Sequence, residues 1–150
     1  MRRILPSLIS LGIASCGSPS KTSPENAPDP ERIHPKVFEM VKSWISDPSS
    51  PVVTEINLDA VAANRNQFDP DDVRREGPWH RWKSENGGEV KFRLMKRDGD
   101  IFTALCHFNG GGTLTEALQI RFALASRDIE TDDGLRLHRI LRVLSIHSVR

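Results

Sequence analysis

Ile101-Phe102-Thr103-Ala104-Leu105-Cys106-His107-Phe108 is apolar at nearly every position. Turn residues bound it, Arg97-Asp98-Gly99-Asp100 before and Asn109-Gly110-Gly111-Gly112 after. A short apolar run between such signals reads as a strand buried on both faces, and so as the centre of a sheet. Its upstream neighbour has the complementary signature. Val90, Phe92 and Leu94 alternate with Lys91 and Arg93, giving one dry face and one wet. Asp98-Gly99 between the two runs favours the positive dihedrals of a tight hairpin, as does Asn86-Gly87 ahead of them. Residues 79–83 supply a short strand before that first turn.

Downstream, Leu118, Ile120, Phe122 and Leu124 alternate with Gln119, Arg121 and Ala123, which predicts another strand. Thr113-Leu114-Thr115-Glu116 also fits a helix-opening capping box, but a helix would set Arg121 in the middle of its apolar face. Asp132-Asp133-Gly134 marks the last turn. Residues 135–149 read as the final strand, with a helix through Leu137, Ile140, Leu141 and Leu144 as the competing reading. The strand needs a bulge near His138 or Arg139, because Leu135 and Leu137 fall out of register with Ile140, Leu144 and Ile146.

Upstream, Val37, Met40, Val41, Trp44 and Ile45 make one apolar stripe of a helix over residues 35–46. Pro35 suits its first turn and Pro48 ends it. Residues 52–61 alternate as a strand, with a short helix from Asn57 as the competing reading. Residues 62–78 predict a long loop with at most one helical turn, capped by Asp69 ahead of Pro70. Together these elements predict an α+β domain: an N-terminal helix packed on an antiparallel β-sheet, a meander of five or six strands.

The chain begins MRRILPSLISLGIASC. Arg2 and Arg3 precede an apolar run of about eleven residues, where a spanning helix needs roughly twenty, so the segment reads as an export signal. Its last four residues, Ile13-Ala14-Ser15-Cys16, resemble the lipobox of bacterial lipoproteins, with Ile13 where leucine is usual. The resemblance covers this segment alone. It implies that the Cys16 thiol receives a diacylglyceryl group and that cleavage leaves Cys16 as the first residue. Gly17, rather than Asp, implies the outer membrane, on its periplasmic side, if the organism has one. Stable anchoring needs two or more acyl chains, which this modification supplies. The expected organisation is a signal peptide at 1–15, a lipidated cysteine and tether at 16–33, and a single domain at 34–150. Residues 17–30 are rich in Pro and Ser and carry no apolar period, as a tether should.

Lysine and arginine number 21 against 20 aspartates and glutamates. Arg2 and Arg3 leave with the leader, which takes the balance from +1 to −1. Such a balance does not point to nucleic acid. With Cys16 lipidated, Cys106 has no partner in the chain and reads as a small buried hydrophobe. No histidine pair has metal-ligand spacing, and no cofactor motif is present, so neither metal nor cofactor is expected. Cys106 beside His107 is not a dyad, since adjacent strand residues point to opposite faces. The distinctive cluster is Trp79-His80-Arg81-Trp82, a candidate contact for a ligand or partner. No catalytic set is recognisable. The expected role is a lipid-anchored envelope protein, non-enzymatic, that contacts another envelope protein or itself. A small-ligand binding module is the alternative, and a hydrolase with a His/Asp site assembled through space the weaker one.

Overall fold

The computed structural model describes residues 28–46 and 55–150, and for residues 43–46 the backbone only. The chain is β-rich with a small helical part. Among the described residues, two α-helices, α1 (Lys36–Ser46) and α2 (Leu58–Ala63), accompany seven strands. The strands are β1 (Glu55–Asn57), β2 (Arg74–Glu76), β3 (Trp79–Lys83), β4 (Glu89–Asp98), β5 (Ile101–Asn109), β6 (Thr115–Thr131) and β7 (Gly134–Ser148). They form one antiparallel sheet in the order β1-β7-β6-β5-β4-β3-β2. From β2 to β7 the sheet is a meander, and β1 lies at the far edge beside β7.

The strand count corrects the five or six expected. The additional strand is β2, inside the expected 62–78 loop: Arg74-Arg75-Glu76 has no apolar alternation, and all three residues are exposed. The turn makes this strand. Gly77 takes a left-handed backbone (φ +58) ahead of Pro78, and Glu76 then falls opposite Trp79. β1 is shorter than the expected strand, because the chain turns into α2 at Leu58. Asn57 caps α2, its Oδ1 accepting from the backbone N–H of Asp59 and Ala60, both at 3.1 Å. The expected loop at 47–51 and the start of the 52–61 strand lie outside the described residues.

The β7 bulge also differs from expectation. Pairing with β6 runs unbroken from Gly134 to Val143 and shifts only past Leu144. Leu135 and Leu137 impose no register on the core because neither enters it; they are 74% and 55% exposed. Leu141, Val143 and Ile146 carry the inward face instead.

The core lies on one face of the sheet. Phe92 of β4, Phe102, Ala104 and Cys106 of β5, and Ile120 and Phe122 of β6 are all at most 2% exposed. α1 contributes Val37, Phe38 and Val41 to the same cluster. The Phe38 ring sits 4.8 Å from Phe92 and 5.6 Å from Phe122, centroid to centroid. Trp44 and Ile45 lie outside the described side chains. The folded body begins before residue 34: Pro30–Arg32 is a single 3-10 turn capped by Asp29, and Pro30 and Ile33 are buried. Cys16, the leader and residues 16–27 of the expected tether lie outside the described residues. Among those described, no helix is long and apolar enough to cross a membrane.

Candidate functional site

Between the N-terminal turn, α2, the 64–73 segment and the inner face of β2 and β3 lies a cleft of about 580 Å³. Its floor and walls are apolar: Ile33, Val37, Leu58, Val61, Phe68 and Val73. Arginines stand around it, namely Arg32, Arg65, Arg75 and Arg139, with Glu31 as the one carboxylate in the lining. The volume falls in the range that holds a small organic ligand, about 300–1,000 Å³.

Each charged group has a structural reason for its place. Arg139 donates to Asp59 through Nε (2.9 Å) and Nη2 (2.7 Å), and its backbone N–H donates to the same carboxylate. This fork locks the start of α2 against β7. Burial pushes the Asp59 carboxyl up, but the hydrogen bonds and charge of Arg139 outweigh it and hold the group below the usual carboxylate range. Arg75 reaches Glu31 at 2.7 Å and so ties β2 to the N-terminal turn. Arg65 is held more loosely, 3.4 Å from Asp69 and 3.9 Å from Asp71. Arg32 meets only Asp29, at 3.6 Å.

Two histidines line the cleft. His34 precedes α1, and its Nδ1 accepts from the Lys36 backbone N–H at 3.2 Å. The neutral ring therefore carries its proton on Nε2. That nitrogen is buried and approaches the Asp69 carbonyl without reaching good hydrogen-bond geometry. Phe68 meets the ring edge-on at 5.6 Å. Burial, with the Lys36 charge adding, holds the His34 pKa at about 4. His80 is stacked on Phe92, centroids 4.7 Å apart, and burial followed by the Arg75 charge lowers its pKa too. At neutral pH both rings are uncharged, which keeps the lining compatible with an apolar guest.

The Trp79-His80-Arg81-Trp82 cluster does not converge. Strand alternation splits it. His80 and Trp82 face the core side, opposite Phe92 and Val90. Only His80 reaches the cleft. Trp82 lies beneath the Lys36 ammonium, 4.7 Å from its ring centroid. It borders a second groove of about 800 Å³, whose walls include Asp71, Asp72, Glu76 and Glu85. That lining gives an apolar guest little to displace water against. Trp79 and Arg81 face the other side of the sheet. Arg81 is clamped by Glu76 at 2.7 Å and by Glu89 at 2.6 Å. Trp79 packs on His107 at 4.8 Å.

Cys106 is wholly buried in the core, and that burial pushes its thiol far up. His107 points to the opposite face, so the two form no dyad. Among the described residues, no three His, Cys, Asp or Glu side chains cluster as metal ligands would. Sequence reading named His80 but none of the other cleft residues. His34, Leu58, Phe68, Arg75 and Arg139 come from five separate segments, and only the fold brings them together. Comparison of the chain with protein-family models, with curated proteins and with solved structures gave no significant match, so the chemistry of the cleft rests on its own residues.

Proposed function

We propose that this chain is a lipid-anchored envelope domain whose cleft binds a small, largely apolar molecule. The observation that carries the binding reading is the 580 Å³ cleft with an apolar floor, neutral histidines and an arginine rim. A concave apolar pocket with a few polar groups is the usual form of a small-ligand site. The protein-interaction reading has a narrower basis, the exposed Leu135 and Leu137 at the end of the β6–β7 hairpin.

Ala62 offers the test of the cleft. It lines the space from the exposed side of α2. Ala62→Trp should fill the cleft with little effect on folding. Titration with anilinonaphthalene sulfonate should give one saturable site on the parent chain. The variant should bind about tenfold more weakly or worse, a loss of ~1.4 kcal/mol. Equal binding by the two proteins, or no saturable site on the parent, would overturn the cleft reading.

The anchor is tested separately by intact-mass measurement of the membrane-bound form. The expected mature protein starts at Cys16 and carries the diacylglyceryl mass. An unmodified Cys16 thiol, or a leader still attached, would remove the anchor from the proposal and leave the cleft untouched.

A further inference from the structure

The face of the sheet turned away from α1 is strongly basic, although the chain as a whole is nearly neutral. The strand register defines that face. Arg74, Arg81 and Lys91 lie across from one another on β2, β3 and β4. Arg93 follows on β4, and Lys96 aligns through Thr103 with Arg121 of β6. Lys83 sits at one margin, and Arg127, Arg136 and Arg142 continue the face along the β6–β7 hairpin. The strand carboxylates on the same side are Glu55, Glu76, Glu89 and Asp98. Ten cations thus share a face with four carboxylates.

Several of these cations are not neutralised. Within the described residues, Arg74, Lys83, Arg93, Lys96 and Arg121 make no ion pair, and Lys91 has only Glu89 at 3.7 Å. Between them lie uncharged side chains, Thr103, Leu105, Ala117, Gln119 and Ser145, with His107 beside Lys91; Arg74, Lys83, Lys96 and Arg121 are exposed, while Lys91 and Arg93 are half-buried. Trp79 is half-buried among them, with Lys91 and Arg93 over its ring at 5.0 and 5.2 Å.

We propose that this sheet face docks on an anionic phospholipid surface. The charge is spread over β2, β3, β4, β6 and β7, a width of about 24 Å at the usual strand spacing. A broad array of this kind matches a plane of phosphates better than one compact acidic motif. A half-exposed tryptophan among the cations suits the headgroup layer, where amphipathic rings concentrate. Single-stranded nucleic acid would call for a row of stacking rings, and Trp79 is the one Phe or Trp ring on this face among the described residues. Docking in this way does not need the Cys16 lipid. It also leaves the cleft, on the opposite side of the sheet, turned away from the bilayer.

The test uses the 1–150 chain with Cys16→Ser, which takes up no lipid. Cosedimentation compares phosphatidylcholine vesicles with vesicles of phosphatidylcholine mixed with phosphatidylglycerol. The chain should partition onto the anionic vesicles and leave them as salt is raised, because screening shortens the reach of surface charge. Adding Arg74→Glu, Lys96→Glu and Arg121→Glu should weaken that partition about a hundredfold, since each cation contributes several-fold. The leader is the same in both chains and cancels in the comparison. Should the Glu set fail to fold, the Gln set at the same positions should still weaken binding more than tenfold. Equal partition onto both vesicle types, or undiminished binding by the charge-altered chains, would overturn the proposal. So would binding to an acidic protein or a single-stranded oligonucleotide with none to the anionic vesicles.

Discussion

Phe38→Ala is expected to destabilise the folded domain by about 3–5 kcal/mol, the range for truncating a buried phenylalanine. The residue is fully buried, and its ring touches Phe92 in β4 and Phe122 in β6. It therefore joins α1 to the two strands that flank β5. Alanine removes the ring and opens a cavity that three rigid elements surround, so collapse around it is limited. A domain of this size has about 5–15 kcal/mol of stability in total, and the variant should lose a large share of it. Urea unfolding should show a lower midpoint with an unchanged slope, because the surface exposed on unfolding is nearly the same. Phe38→Leu should fall between parent and alanine variant. A loss under about 1 kcal/mol for Phe38→Ala would mean that α1 is not docked on the sheet as described.

The same three rings show what the sequence makes legible. Phe92 and Phe122 are legible because each sits in an alternating run, and alternation is the direct imprint of a half-buried strand. Phe38 is expected only to widen the stripe of Val37, Met40 and Val41 or cap one edge of it, yet it packs deeper than Met40, which is only partly buried. A helix lying across a twisted sheet buries a broad face, and periodicity alone does not say which edge of that face goes deepest. β2 was illegible for a different reason. Its pairing is made by main-chain hydrogen bonds over a Gly-Pro turn, and its three side chains take no part in the core. Leu135 and Leu137 misled in the opposite sense, as apolar residues that stay in solvent. The cleft was the least legible feature. Its walls come from the N-terminal turn, α1, α2, the 64–73 segment, the inner side of β2 and β3, and β7, and no local pattern links them. The basic face was implicit in the alternation, since Lys91, Arg93 and Arg121 are the outward residues of their strands. The register is what adds them into one surface.

The pH dependence of stability should carry the signature of His34. Its pKa is held at about 4 in the folded chain, against an ordinary value of 6.5. Between those values the unfolded chain takes up a proton that the folded chain refuses. Stability is therefore fully present above about pH 6.5, falls as the pH drops toward 4, and loses nothing more from this group below that. The full shift corresponds to about 3 kcal/mol, and screening by water at the cleft mouth brings the expected loss to about 2 kcal/mol. His80 adds to the loss in the same direction, through its own burial. Asp59, held low by Arg139, acts in a separate window, below the ordinary carboxylate range. His34→Asn isolates the effect, because asparagine can still accept from the Lys36 backbone N–H but does not titrate. Unfolding free energies measured from pH 7 to pH 4 should fall less steeply for the variant, the difference reaching about 2 kcal/mol at the acid end. Parallel profiles would show that the ring is not held neutral between α1 and the 64–73 segment. A flatter profile would tie one wall of the cleft to the protonation state of a single imidazole.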